Sequence, residues 1–498
     1  MTALNIGRFP IALLVIPLLL SAYTHLLNPI GFPPGPLNDE NIYIGRAMRI
    51  LDGLGLTEAA LFDHPYFAQL FLAGIFFVIG YPSSLHPVIG DLHSIEMLYL
   101  VPRILMGILA VVDAFLIYKI CERHYNRTVA LIASTIFAVM PIIIWQTRWV
   151  LLESIQLPFL LASILFALYV QPSKNNNGSN NKNKNILLVL LSGYLIGLAI
   201  FTKIPAFTMI PLVAFLVYKN TNRSLKHLGL WFIPVILIPI IWPASAASIG
   251  EFNNWFNDVF FSQTQRGMNN SFFISLNYNF NIDPVFHILS AVGLTYAIVK
   301  RDLVLLLWIA LFLIFIYSTG FVSVYHFIPI YPAFCIAIAR LIVGMSNSIK
   351  KKAISQMLSY LIISGIGIFG LIASTMLITE YDNLSYFEAT AFLSRYLHDS
   401  KESITIIGNP FYLWIPQFVF QLDHHDYLGF YDNRLADIEN VVSVADPGLI
   451  DKLNHNTGAT QIQKIQENSN MYYTQHLATF GGDAVHDQIS IYQYIRKP

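Results

Sequence analysis

Charge is what this chain has least of. Asp, Glu, Lys and Arg together make up 12% of its 498 residues, where a soluble domain carries about 25%. Too few ionisable groups are left to cover a water-facing surface, which excludes the ordinary soluble class and points to a membrane protein. Its 29 basic and 29 acidic residues cancel, so no overall field recruits nucleic acid, and no nucleic-acid partner is expected. Cysteine is nearly absent too. Cys121 and Cys335 stand in separate apolar contexts, without CxxC or zinc-ligand spacing. That excludes a disulfide framework or a cysteine-held metal and says nothing of redox compartment.

Long hydrophobic runs are what the chain has instead. "FPIALLVIPLLLSAYTHLLNP" follows Arg8 and runs past the length of a signal-peptide core, so it reads as an uncleaved first spanning helix. At about 20 apolar residues per span, further spans are expected at 97–118, 128–147, 154–170, 228–247, 284–299, 303–319, 326–343 and 356–379. The stretch 186–218 is too short for two full spans and too long for one. With Lys203 and Pro205 near its middle, it reads as a hairpin of two short helices turning at "TKIP". About eleven spans result.

Basic residues fall in alternate connections: Arg8, then Lys119, Arg123 and Arg127, then Lys174, Lys182 and Lys184, then Lys219, Arg223 and Lys226, then Lys300 and Arg301, then Lys350, Lys351 and Lys352. By the positive-inside rule these connections and the N-terminus are cytoplasmic. The asparagine-rich 172–185 is then an inner linker. Segments 29–96, 248–283 and everything after 380 face outside. The expected architecture is a polytopic all-α membrane protein of the cell membrane, with a transmembrane catalytic domain over 1–380 and a small extracytoplasmic α/β domain over 381–498. In the latter, "SITIIGNPFYLWIPQFVF" and "ISIYQYI" look like strands, and "DPGLIDKLNHN" and "IQKIQEN" look helical or loop-like. "NNS" (269–271) and "NLS" (383–385) are candidate outer N-glycosylation sites.

Ionisable residues at the edges of apolar segments collect on the outer side: Asp39, Glu40, His64, Arg103, Arg148, Glu153, Lys203, Arg266 and His326. Charge at membrane level is costly and usually functional. "NDENIYIGRAMRILDG" has Ile44, Ala47, Met48 and Leu51 at helical spacing and reads as an amphipathic helix in the interface. Two readings of its acidic start stand side by side. Asn38 or Asp39 caps the helix while Glu40 favours its dipole, or the acids serve a site. "LFDHPYFAQLFLAGIFFVIGYP" is read as a re-entrant or interfacial helix opened by His64-Pro65. Glu153 also fits a plain pairing with Arg148, Lys203 fits snorkelling, and Arg266 fits a solvated loop residue.

In order along the chain, these segments resemble the GT-C type membrane glycosyltransferases that use polyprenyl-phosphate sugars, among them the protein O-mannosyltransferases and the bacterial aminoarabinose transferases to lipid A. "NDENIYIGRAM" looks like their Asp-Glu motif, and "FDHPYFAQLF" like a His-Pro-Pro segment with Tyr66 replacing the second proline. "VPRILMGILAVVDAFLIYKI" is similar to their second span with Arg103. "RWVLLES" resembles Arg-Tyr-Val-Leu-Leu-Asp-Ser with Glu153 for aspartate. "GLAIFTKIPAF" is similar to Gly-Leu-Ala-x-x-Thr-Lys, and "YHFIPIYPAF" to Tyr-x-x-x-Pro-x-Tyr-Pro. The likeness covers about 1–345. His64 stands where the lipid A transferases carry lysine.

The resemblance implies inverting transfer of a sugar, a mannose-like hexose in that family, from polyprenyl phosphate to a hydroxyl of a protein, glycan or lipid acceptor. Asp39 would be the general base, and Glu40 would orient the acceptor or a neighbouring cation. Lys203, Arg148, Arg266 and His64 would meet the donor phosphate, and Glu153, Tyr325 and His326 would orient the substrate. The oligosaccharyltransferase motifs Asp-x-Asp and Trp-Trp-Asp-Tyr-Gly do not occur, and "LDHHDY" (422–427) offers only adjacent histidines, so neither a metal nor a cofactor beyond the donor is expected. A transporter or flippase of lipid-linked sugars, or a non-enzymatic membrane subunit, are the other classes this composition allows.

Overall fold

The computed structural model describes residues 10–32, 38–56, 62–171, 179–262, 271–319, 321–348, 352–380, 383–429, 439–454, 472–482 and 487–497. Its helices run α1 (Pro10–Leu26), α2 (Asn38–Leu51), α3 (Phe67–Ile79), α4 (Leu92–His124), α5 (Arg127–Val139), α6 (Pro141–Thr147) and α7 (Leu152–Tyr169). They continue as α8 (Ser179–Thr202), α9 (Ile210–Asn220), α10 (Leu225–Leu237), α11 (Ile241–Ser248), α12 (Phe252–Phe256), α13 (Ser271–Ile282) and α14 (Pro284–Val299). The last are α15 (Leu303–Ser318), α16 (Tyr331–Ser348), α17 (Lys352–Ile378), α18 (Leu384–Asp399), α19 (Pro410–Trp414) and α20 (Pro447–Asn454). Two 3-10 segments, Ile204–Met209 and Val324–Ile330, precede α9 and α16.

Among the described residues six helices are long and apolar enough to cross a membrane, or eight if each of two bent pairs makes one span. Shorter apolar helices lie at Leu14–Leu26, Phe67–Ile79, Ile204–Asn220 and Leu303–Ser318. The segment after His64-Pro65 is thus a short apolar helix, too short to span at 1.5 Å per residue. The stretch read as one span over 128–147 is broken, with α5 and α6 bent by 63°. Pro141 is the cause: it has no N–H for the preceding turn and instead starts α6 as its first residue. Around Lys203 the chain is extended, at φ −152° and ψ 127°, so α8 ends where "TKIP" marks a break. Pro205 lies in the first turn of the 3-10 segment that follows, where its missing N–H is not needed.

The chain divides into two compact units, one made of Met1–Leu27, Thr57–Ala68 and Leu105–Leu377, the other of Asn28–Leu56, Gln69–Ile104 and Ile378–Pro498. The boundary expected at 380 lies beside the start of the last of these segments. The second unit also takes in two stretches between α1 and α4, the second running into the start of α4.

In the first unit the helices meet through small and apolar residues. Gly193 and Gly197 let α8 approach α10 so closely that a Cβ on either would collide with the carbonyls of Trp231 and Pro234. Ser163 and Ser192 bind each other's carbonyls across α7 and α8, at 2.8 and 3.0 Å.

The second unit holds the only sheet among the described residues. It has strand order β2-β1-β3-β5-β4, from β1 (Thr405–Gly408), β2 (Asp426–Gly429), β3 (Asn440–Ala445), β4 (Tyr472–Phe480) and β5 (Ile489–Arg496). β1 pairs parallel with β2 and β3, whereas β5 is antiparallel to β3 and β4. Ile407, Leu428, Val441 and Leu449 form its core. The expected strand over 403–420 is a strand for four residues only. Asn409 then accepts a hydrogen bond from the Phe411 N–H at 3.3 Å and Pro410 takes the first helical position, so the apolar run turns into α19. The region "DPGLIDKLNHN" forms α20, and "IQKIQEN" lies outside the described residues. Asn383 is 2% exposed and donates to the carbonyls of Ile30 and Gly31, at 2.8 and 3.2 Å. It is no glycan acceptor, because its amide is already committed inside the unit. Asn269 lies outside the described residues.

Candidate functional site

In the first unit a group of ionisable residues meets at the break after α8. Glu153 stands in the first turn of α7 and is 1% exposed. Lys203, in the extended residue after α8, is 5% exposed, and its ammonium donates to Glu153 Oε1. The same ammonium lies 5.2 Å from the centroid of the Tyr325 ring, an arrangement that favours a cation over the aromatic face. His326 Nε2 is 3.8 Å from Glu153 Oε1. Its other nitrogen, Nδ1, accepts the Ser323 N–H at 3.1 Å, half of a capping box that starts the 3-10 segment. Four residues chosen from sequence, Glu153, Lys203, Tyr325 and His326, are therefore gathered in one place.

Sequence reasoning missed Gln156, which lies on α7 and donates to the carbonyls of Ala199 and Lys203 at 2.9 and 2.6 Å. It fixes the end of α8 and hence the position from which Lys203 reaches Glu153. Its signal was its polarity within an apolar run.

The other named residues of this unit divide. Arg148 is 1% exposed and donates from Nη1 to Thr24 O at 3.1 Å and from Nη2 to Leu27 O at 2.5 Å. It clamps the carbonyl end of α1, where a cation is favoured by the helix dipole. Glu153 pairs with Lys203 and faces His326. His64 is half-buried between Phe62 and Tyr66, which belong to an apolar cluster with Phe201, two residues before Lys203. The Tyr66 ring meets Phe201 edge-on at 5.1 Å. Arg266 lies outside the described residues.

Asp39 and Glu40 belong to the second unit, in the first turn of α2. Glu40 is fully buried and bound by both arms of Arg103 of α4, Nε to Oε1 at 2.9 Å and Nη2 to Oε2 at 2.8 Å. Arg103 Nη1 also reaches the carbonyls of Pro29 and Ile30, at 3.2 and 3.3 Å. Around this pair Tyr99 donates to Asn41 at 2.6 Å and accepts from the Trp414 indole at 2.8 Å. Asp39 is half-buried. Of the two adjacent acids, Glu40 is fully buried in an ion pair with Arg103, and Asp39 keeps part of its surface exposed.

At Leu422–Tyr427, His425 uses both ring nitrogens on backbone, accepting from the Ile404 N–H at 3.2 Å and facing Leu397 O at 2.9 Å. Among the described residues no three His, Cys, Asp or Glu gather in a way that could hold a metal ion.

Residues 57–250 match the family model described as dolichyl-phosphate-mannose-protein mannosyltransferase. The fold is similar to that of ArnT from Cupriavidus metallidurans bound to undecaprenyl phosphate, with a TM-score of 0.59 and 11% identity, covering 97% of this chain and 97% of that one. It is also similar to the Archaeoglobus fulgidus oligosaccharyltransferase tethered with an acceptor peptide containing the NVT sequon, with a TM-score of 0.57 and 10% identity, covering 100% of this chain and 75% of that one. No curated protein matches the chain by sequence. The motif resemblance and the comparisons thus point the same way: the fold is similar to those of two solved membrane glycosyltransferases, and residues 57–250 match the mannosyltransferase family model.

Proposed function

We propose that this chain is an integral-membrane glycosyltransferase that moves a sugar, mannose-like, from a polyprenyl-phosphate donor to an acceptor hydroxyl at the outer membrane face. The observation that carries the reading is the buried lysine at a helix break, paired with a carboxylate and set over an aromatic face, with an imidazole facing the same carboxylate oxygen. A lysine ammonium has three donors, and here one goes to Glu153. The others can meet a phosphate that arrives in the site. Polyprenyl phosphate leaves as a weakly basic anion, so its departure needs positive charge more than a proton.

The acceptor oxygen attacks the anomeric carbon from the side opposite the phosphate. The new carbon–oxygen bond forms as the bond to the phosphate oxygen breaks, the electron pair leaves with polyprenyl phosphate, and configuration inverts. The hydroxyl proton passes to the carboxylate of Asp39 as general base. Glu40, locked to Arg103, supports the helix that presents Asp39 and does not itself orient the acceptor. In this reading the eight spans and three of the shorter apolar helices, α1, α9 with its 3-10 start and α15, cross the membrane. The N-terminus is then inside and the segment after 380 outside. Support comes from the alternation of basic loops and from the GT-C fold.

The test uses the purified full chain in nanodiscs with a panel of polyprenyl-phosphate hexoses and an envelope extract as acceptor source. Release of polyprenyl phosphate that depends on the extract is expected. A chain that binds lipid-linked sugar and carries it across a vesicle membrane without cleaving it would replace this reading with transport.

A further inference from the structure

A second polar network, distinct from the ion pairs, lies entirely inside the first unit. Gln146 of α6, Asn279 of α13 and Tyr331 at the start of α16 are each 0% exposed. Gln146 Nε2 donates to Asn279 Oδ1 at 2.8 Å and to Val324 O at 3.0 Å. Asn279 Nδ2 donates to the same Val324 carbonyl at 2.9 Å. The Tyr331 hydroxyl donates to Gln146 Oε1 at 3.0 Å. Both lone pairs of one carbonyl are thus taken, from two different helices.

The place of that carbonyl matters. Val324 opens the 3-10 segment, and the next two residues are Tyr325 and His326. Fixing the Val324 carbonyl from two directions fixes the peptide plane from which those side chains leave. The helices that do the fixing are themselves tied at their breaks. Asp283, between α13 and α14, accepts from the Phe286 N–H at 2.9 Å and from the Ile142 N–H of α6 at 3.5 Å. The 115° bend of α13 and α14 and the 63° bend of α5 and α6 are thereby joined. Broken helices leave backbone groups that need partners, and a fully satisfied buried network gives them one arrangement.

We infer that Gln146 and Asn279 are positioning residues for the Lys203–Glu153–His326 cluster, acting through the backbone of Val324. Apolar side chains of similar volume would fill the same space without the desolvation cost. They would leave the carbonyl, and the ring beneath the Lys203 ammonium, without a set direction. The inference rests on the proposal that this cluster meets the donor phosphate, so its test carries two readouts.

The first readout needs no transfer activity. The two native cysteines are buried, so His326→Cys in the full chain in detergent gives a selective label for maleimide. Adding Asn279→Leu is expected to raise the alkylation rate at position 326 by about tenfold, measured well below the melting midpoint so that global unfolding does not contribute. Should Asn279→Leu fail to fold, Tyr331→Phe removes a single hydrogen bond and is expected to raise the rate by a smaller factor. An unchanged rate in the folded variant overturns the inference. The second readout, with His326 intact, is kcat/KM for the lipid donor, expected to fall about 10²-fold in Asn279→Leu, as for displacement of a reacting geometry by about 1 Å, with acceptor KM unchanged. A fall in melting temperature alone, with both readouts unmoved, would make the network merely structural. If the parent never releases polyprenyl phosphate, the proposed function fails and the alkylation arm still decides the positioning.

Discussion

Two buried ion pairs, one in each compact unit, look alike by residue type and differ in how their donors are spent. In the second unit Arg103 lays both arms of its fork on Glu40 and its remaining end on two backbone carbonyls. The planar guanidinium is matched to the carboxylate, and each of its three nitrogens is bonded within the unit. In the first unit Lys203 touches Glu153 with a point charge, beside an aromatic face and an imidazole. An ammonium can exchange partners by rotating. The first pair holds a structure, and the second can receive an anion. The pair of acids that began as Asp39 and Glu40 in the sequence splits along the same line.

The largest expected effect breaks the closed pair. Arg103→Ala leaves Glu40 buried and unpaired, which costs about 3–5 kcal/mol, enough to abolish most folded protein by thermal melting or size exclusion in detergent. A melting temperature close to the parent's would mean that water reaches Glu40 and that the two pairs are not so different. Next comes the contrast between neighbours. Asp39→Asn is expected to lower transfer by about 10²–10⁴-fold, the range for general-base assistance, with the melting temperature kept. Glu40→Gln should do the reverse, lowering stability and leaving turnover per folded molecule nearly intact. Equal losses of turnover in both would join the two acids again.

The smallest effect concerns His425, whose two nitrogens both serve backbone. Burial holds its pKa below the usual 6.5, against the opposing pull of the Leu397 carbonyl. A base with a lowered folded pKa contributes stability that is complete above about pH 6.5 and declines as pH falls toward the folded value. Protonation would also place a hydrogen on the nitrogen that accepts from Ile404. The melting temperature of the parent is therefore expected to drop between pH 7.5 and 5.5 by more than that of His425→Gln. Parallel curves would remove His425 as a source of acid sensitivity.

Much of the first unit's site was legible because its parts are local exceptions to an apolar background. Lys203 with Pro205 marks a helix break, and Glu153 stands where an apolar run begins. Tyr325 and His326 precede a proline-containing turn. Pairing was not legible: Glu40 and Arg103 are 63 residues apart, and nothing local tells a carboxylate which cation will enclose it. Arg148 was legible as a cation at the edge of an apolar run, but its contact with the carbonyls that end α1 was not, because those lie more than 120 residues away in sequence. The run after Gly408 misled for a different reason. It is apolar at nearly every position, so periodicity cannot tell a buried strand from a buried helix, and the deciding signal was the Asn409-Pro410 start. Gln146 and Asn279 were passed over as single polar residues in long apolar segments, although an amide at such a depth needs partners.

The central claim is that the Lys203–Glu153 pair is the one that meets the donor. Its most direct test is the affinity of the full chain in nanodiscs for polyprenyl phosphate, compared with the double variant Lys203→Met/Glu153→Gln. That variant removes both charges together, so no buried ion is left alone and the fold is expected to survive. The account predicts binding weakened about 10²-fold, equivalent to about 2.7 kcal/mol, at an unchanged melting temperature. Parent-like affinity in the folded double variant would contradict it.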